Sequence, residues 1–244
     1  MGLDYEKTFA PVIPAAVMRM MLAIVVEADL ETLQFDVSGA FLNSTMDKEM
    51  YVRPPPGYRV REKGNILKLK KALHGNKQSA MLWHKQLTQV LQRLGFQPCR
   101  SAKCLFVRPK PEGSPDLLVV HVDDGCLTGT NQEVLAEVVT ELGKEFKVTS
   151  GPRPLDFYLG NKIDRDVKRN RLEMSAPACI EELAKRFNMT HAIPEELPAE
   201  PKRIHEKNTG DKHDCPYMQL IGALLHVLTR TDPPRHHAKC MPTS

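Results

Sequence analysis

No apolar run in this 244-residue chain approaches the ~20 residues that a membrane-spanning helix needs. The longest, Pro11–Met18 and Met20–Val26, are divided by Arg19 and closed by Glu27. The first residues lack the basic stretch of a secretory signal. Position 6 is Glu rather than the Ser or Thr that lipidation of Gly2 would want. Cysteine is sparse: Cys99, Cys104, Cys126, Cys179, Cys215 and Cys240 are scattered, which argues against a disulfide scaffold and for a reducing compartment. Neither an internal repeat nor a long low-complexity tract is present. The expectation is a chain in the cytoplasm or nucleus, not secreted and with no membrane partner. What is there, 41% hydrophobic and 26% charged residues, describes a soluble globular protein of one or two domains with a real core.

Acid is missing locally as well. Residues 53–110 hold fourteen Lys and Arg and a single acid, Glu62, a local charge of +13 that the overall +4 conceals. Such a block repels itself unless an anion lies against it, and phosphate is the obvious candidate. The block also carries core-forming pattern, so it is folded, and its lysines, among them Lys68, Lys70, Lys71 and Lys85, point to nucleic acid.

The hydrophobic periods order the chain. A buried helix is predicted over Ala15–Asp29, apolar nearly all round, then a strand over Glu31–Asp36. Ile66, Leu67 and Leu69 mark a strand among lysines. Lys77–Leu94 reads as an amphipathic helix stopped by Gly95. After a strand at Cys104–Arg108, the near-continuous run Leu117–Val122 has the pattern of a central strand. It breaks at Asp123, Asp124 and Gly125, and Cys126–Thr128 returns as a hairpin partner. Thr130 and Glu133 suggest a capping box for the next helix. Phe157–Ile163 with Arg171–Met174 suggests a second hairpin, Pro177–Asn188 a helix, Pro194–Pro216 a linker, and Tyr217–Thr229 a last helix. This order suits an α+β fold with helices on one face of an antiparallel sheet.

The chemistry rests on carboxylates. Asp123 and Asp124 sit at the tip of a buried strand, where neighbouring like charges raise each other's pKa. A turn accepts Asp readily, but Asp-Gly alone would serve it. The second acid is surplus, and a divalent cation would relieve the repulsion. Asp36 ends the earlier strand. If that strand pairs beside the hairpin, three carboxylates meet at one end of the sheet. They could then hold two Mg²⁺ roughly 3.5–4 Å apart for in-line phosphoryl transfer.

These residues fall in an ordered series of motifs: Asp4-Tyr5-Glu6-Lys7-Thr8-Phe9-Ala10-Pro11-Val12, Gln34 to Asn43, Tyr51 to Tyr58, Leu69 to Gln78 with Trp83 beyond, and Val122-Asp123-Asp124. Phe157-Tyr158-Leu159-Gly160, Arg186 to Met189 and Leu220 to Leu224 follow. The series resembles the reverse transcriptase domain of copia-type LTR retrotransposon Pol polyproteins over almost the whole chain. The resemblance implies a right-hand polymerase of fingers and palm over residues 1–190, with a ferredoxin-like antiparallel palm sheet. Residues 191–216 would be a linker, and 217–244 a truncated helix beginning a thumb or connection. It implies Asp36, Asp123 and Asp124 as catalytic, metal-holding residues for two Mg²⁺ or Mn²⁺. Phe41 would sit under the nucleotide's sugar, and Gly75 and Lys77 would support the nucleotide. Leu159 and Gly160 match a primer-gripping hairpin, and the basic block would run along template and primer. The implied partners are an RNA template, a DNA primer and dNTP, with thumb, RNase H and integrase regions expected elsewhere in a parent polyprotein. The family's tyrosine before Val-Asp-Asp is His121 here, and its proline after the Lys-Gln run is lost.

The alternative reading is a decayed, catalytically inactive nucleic-acid-binding fragment of the same domain. A zinc or redox protein is a third: Cys99 with Cys104, His213 with Cys215, and His236 and His237 with Cys240 are its candidates. None has the close paired spacing of a structural zinc site.

Overall fold

The computed structural model describes residues 10–58, 66–193 and 216–230. Their elements, in chain order, begin with α1 (Ala15–Glu27), β1 (Glu31–Val37), α2 (Ala40–Asn43), β2 (Tyr51–Val52), β3 (Leu67–Lys68) and α3 (Ser79–Arg93). Then come β4 (Gln97–Pro98), β5 (Leu105–Arg108), β6 (Asp116–His121), β7 (Asp124–Gly129), α4 (Gln132–Glu145) and β8 (Val148–Arg153). β9 (Phe157–Tyr158), β10 (Asn161–Asp166), β11 (Arg171–Ser175), α5 (Pro177–Arg186) and α6 (Tyr217–Arg230) complete the series. The architecture is α+β, with six helices and antiparallel pairing among the described residues. Two compact units form, one within Met1–Leu155 and Arg165–Leu172, the other within Asp156–Asp164 and Glu173–Ser244. No helix among the described residues is long and apolar enough to cross a membrane.

The first unit is built on a six-stranded sheet in the order β4-β5-β6-β7-β1-β8. Side chains alternate between its faces with period two. Leu33, Phe35 and Val37 of β1, Phe106 of β5, Leu118 and Val120 of β6 and Leu127 of β7 share one face. There they bury Trp83, Leu87, Val90 and Leu91 of α3 and Leu135, Val138, Val139 and Leu142 of α4. By the same alternation Gln34, Asp36, His121, Asp124, Cys126 and Thr128 belong to the opposite face, away from α3 and α4.

The register makes one glycine obligatory. Phe35 stands opposite Gly125 across β1 and β7, and a Cβ on Gly125 would lie 2.2 Å from the tip of the Phe35 ring. Gly125 is thus a strand residue that leaves room for a buried ring, not the turn residue that the sequence suggests. Gly125→Ala is expected to destabilise the fold by about 3 kcal/mol, the upper end of overpacking costs. Adding Phe35→Leu should recover much of that loss in chemical denaturation. Additive effects of the two changes would refute the contact.

Other local expectations are corrected. Helix α1 buries only Met18, Met21, Leu22 and Val25, while Met20 is exposed. It packs along one stripe rather than all round. Helix α3 starts at Ser79, so Lys77 precedes it. Asn131, not Thr130, caps α4: its side-chain oxygen accepts from the amides of Glu133 (2.8 Å) and Val134 (3.2 Å). Asx side chains reach the N2 and N3 amides from the cap position itself, and Thr130 lies one residue too early. In the second unit, Leu159 (φ 51°) and Gly160 (φ 80°) form a tight turn between β9 and β10, with Asn161 opposite Tyr158. The predicted strand Phe157–Ile163 is therefore itself a hairpin. The Asp4–Phe9 part of the first motif, Glu62, most of the expected linker, His213, Cys215, His236, His237 and Cys240 lie outside the described residues.

Candidate active site

The site is assembled by three strands and one turn. β1 and β7 run antiparallel with Asp36 directly opposite Asp124. β6 enters the turn with His121 also opposite Asp124, and Val122 and Asp123 form its two-residue tip. Residues 36 and 124, remote in sequence, become cross-strand neighbours, and Asp123 is the next residue along the chain. β8 flanks β1 on the other side, with Asp36 opposite Ser150 and the register shifting on either side of Asp36. Irregularities of this kind re-aim a side chain at the margin of a sheet.

The tip is held tightly. Val122 has φ 58°, a left-handed conformation that costs a β-branched residue of the order of 1–3 kcal/mol. Two bonds hold it there. The Val37 amide donates to the Asp123 carbonyl (3.0 Å), and the Trp83 indole Nε1 donates to the Val122 carbonyl (2.5 Å). Trp83 is itself buried and stacked edge-on against Phe146 of α4's end (4.9 Å between ring centres). The core beneath the sheet thus sets the position of the acidic tip above it.

Electrostatics follow from the crowding. The Asp124 carboxyl is pushed up from its ordinary value, first by burial and then by the charges of Asp123 and Asp36. His121 and Arg153 oppose that shift. Asp123 is exposed, while Asp36 and Asp124 are half-buried. Asp36 Oδ2 accepts a hydrogen bond from the Thr149 hydroxyl (2.5 Å). Thr149 and Arg153 are the contributors that sequence reasoning missed. Thr149 lies 113 positions from Asp36, and nothing in its local pattern distinguishes it.

Among the described residues no three His, Cys, Asp or Glu side chains are already gathered closely enough to grip a metal ion. The donor set nevertheless suits one. Three carboxylates with hard oxygens, one of them unfavourably ionised by the other two, match Mg²⁺ or Mn²⁺. The zinc and redox reading gains nothing. Cys99, Cys104, Cys126 and Cys179 are free, and burial pushes the Cys126 thiol up to about 12.

The remaining predicted residues distribute as follows. Phe41, in α2, is half-buried against the core, and its ring packs on His74 (5.5 Å between centres, 45° tilt). Gly75 has φ 93°, the left-handed value that glycine tolerates, and Lys77 is exposed just before α3. Lys68 is engaged by Glu49, whose carboxyl is lowered chiefly by that hydrogen bond. Lys70, Lys71 and Lys85 are exposed and make no ion pair among the described residues. Leu159 and Gly160 lie in the second unit, on the β9–β10 turn.

An antiparallel sheet with an acidic hairpin tip and an acid on the neighbouring strand, backed by two helices, is an arrangement of polymerase type. Residues 1–201 match the family of reverse transcriptases, described as RNA-dependent DNA polymerases, and the chain belongs to that family. It is 29% identical over 248 residues to the retrovirus-related Pol polyprotein from transposon TNT 1-94 of Nicotiana tabacum, covering 97% of this chain and 18% of that protein. It is 32% identical over 235 residues to the retrovirus-related Pol polyprotein from transposon RE1 of Arabidopsis thaliana, covering 95% of this chain and 16% of that protein. RE2 of the same plant is 31% identical with the same coverage. These relatives are copia-type Pol polyproteins, and the chain spans less than a fifth of their length.

Proposed function

We propose that this domain is an RNA-directed DNA polymerase, extending a DNA primer along an RNA template by nucleotidyl transfer from dNTP. The observation that carries the reading is the pairing of Asp36 with Asp124 across β1 and β7, with Asp123 at the adjoining tip. Asp36, Asp123 and Asp124 would hold two Mg²⁺. When bound, these ions supply Lewis acidity that favours ionisation of the primer 3′-hydroxyl and steadies the charge on the phosphate and the leaving oxygen. Residues 1–190 would make up fingers and palm.

The chain's own groups supply position. The Thr149 hydroxyl fixes one oxygen of the Asp36 carboxylate and would leave the other for a metal ion. Trp83 and Val37 keep the Val122–Asp123 tip from relaxing, and such fixed geometry contributes much of the rate in phosphoryl transfer. Phe41 would meet the sugar of the incoming nucleotide and exclude a 2′-hydroxyl, while Gly75 and Lys77 support its base and phosphates. Leu159 and Gly160 would steady the primer, and Lys70 and Lys71 would meet its backbone phosphates or the template's, whereas Lys68 is held by Glu49 and Lys85 lies on the outer side of α3.

The test is extension of a DNA primer on an RNA template with Mg²⁺ and dNTP. Extension that stops on chelation is expected. In the same assay Phe41→Ala should raise use of ribonucleotides relative to deoxynucleotides by roughly tenfold or more, the scale of discrimination a shape-filling side chain provides. An unchanged ratio would remove Phe41 from sugar selection. A parent chain that never extends the primer would remove the enzyme reading.

A further inference from the structure

The structure shows where the acid-poor block presents its uncommitted charge. Helix α3 turns Trp83, Leu87, Val90 and Leu91 toward the sheet. Its opposite side, at 100° per residue, carries Lys85, Gln89 and Gln92. That outer side is the floor of two adjoining grooves of about 640 and 860 Å³, which share these three residues and Asp47. One wall is the segment 44–48. Lys70 and Lys71 run along it, held by a bridge between Thr45 and Lys71 and by the Ala72 amide donating to the Ser44 carbonyl (2.9 Å). The other wall includes Lys103, whose carbonyl accepts from His84 Nε2 of α3 (3.1 Å).

Other bases of the block are spent within the fold. Lys68 pairs with Glu49, Arg93 with Glu145, and Arg108 and Lys110 with Asp116. Lys70, Lys71, Lys85 and Lys103 are exposed and make no ion pair among the described residues. We infer that Lys85 and Lys103, which line these grooves, form a track on the outer face of α3 that binds a single strand of nucleic acid by its phosphates, separate from the nucleotidyl-transfer site. The inference rests on the nucleic-acid reading above and adds Lys103, Gln89, Gln92 and a location to it.

Three features favour this occupant. The floor offers lysine and amide donors, which suit repeated phosphate oxygens. Between those donors lie apolar atoms of Met46, Met81 and Pro98, against which the sugars and bases of a strand can pack while its phosphates meet the lysines. A helix with its side chains is about 10–12 Å across, wide enough for a strand of nucleic acid to lie over it. The location separates it from the chemistry. Asp36 and Asp124 belong to the sheet face turned away from α3, so a strand in this trough passes behind the palm rather than over the carboxylates.

The experiment is fluorescence anisotropy of a labelled oligouridylate with the full chain across a salt series, together with crosslinking of a 4-thiouridine version and peptide mapping. Lys85→Gln with Lys103→Gln is expected to weaken binding about tenfold. It should also flatten the dependence of log affinity on log salt by about 1.4, two phosphate contacts at ~0.7 each. Lys85→Arg with Lys103→Arg should keep both. Crosslinks are expected on the peptide spanning residues 81–92, in the parent and in an Asp36→Asn, Asp123→Asn, Asp124→Asn variant alike. Parent affinity and slope in the glutamine variant would overturn the track, as would crosslinks lying only outside α3. Equally tight, competing binding of polyglutamate would make the trough a surface for acidic protein instead. A chain that binds and crosslinks here but extends no primer would sink the enzyme reading while leaving the track standing.

Discussion

Asp124→Asn is expected to lower primer extension by on the order of a thousandfold, about 4 kcal/mol of barrier, while the folded domain becomes more heat-stable. The two effects share one cause. Asp124 is half-buried and faces Asp36 across the ladder, with Asp123 next to it. Its carboxyl is raised from the ordinary value by burial first and by those two charges second. The folded state therefore holds this proton to higher pH than the unfolded chain does. The group favours the fold most at acid pH, below its unfolded pKa. That contribution is lost as pH rises through the folded pKa, and at neutrality the ionised side chain is a net cost.

An amide of the same shape removes that cost, at the expense of an oxygen that the proposed reaction assigns to a metal ion. In chelator at pH 7 the variant should melt about 2 °C higher. The gain is small because the side chain still reaches water, which screens it. The gap should close as the pH is lowered into the carboxylate range. Magnesium should then raise the melting temperature of the parent more than that of the variant. A variant that extends primers at the parent's rate would sink the assignment, whatever its stability.

Asp116→Ala is expected to cost about 3–5 kcal/mol of folding free energy without changing the activity of the molecules that remain folded. Asp116 starts β6 and is fully buried. One carboxylate oxygen accepts from Arg108 Nε (2.9 Å) and Nη2 (2.6 Å), and the other lies 2.6 Å from Lys110 Nζ. Both cations are largely covered themselves. Alanine strands two cations in a poorly hydrated place, and breaking a buried ion cluster from one side carries that scale of penalty. Gly129 adds to the constraint, since a Cβ there would meet the Asp116 carboxylate at 2.1 Å. The site is spared because Asp116 and His121 occupy opposite ends of β6, about 17 Å apart at ~3.3 Å per residue. Urea denaturation measures the loss, and extension normalised to folded protein measures the sparing. A loss below ~1 kcal/mol would show that the arginine and lysine rehydrate freely.

Much of this is legible in the order of residues alone. Periodicity marked α3 and α4, because one buried stripe against solvent needs apolar residues at helical spacing. It marked β6 because a strand covered on both faces needs a nearly continuous apolar run. The surplus acid at Asp123–Asp124 was visible because like charges beside a buried strand need a reason. Boundaries were less legible. The cap at Asn131 and the strand role of Gly125 depend on which atom reaches which, and a run such as Asp-Asp-Gly reads the same whether the glycine turns or makes room for Phe35.

By itself, the order of residues determined the α+β class, the acidic trio as candidates, the family, and the existence of an acid-poor block. Each of these is local pattern or composition, and short-range chemistry suffices to read it. Only the tertiary structure decided that Asp36 faces Asp124, that Thr149 and Trp83 hold the site, and which lysines are already spoken for. Those outcomes depend on strand register and on how the core packs beneath the sheet. Contacts between residues tens of positions apart in the chain leave no trace in the neighbourhood of either one.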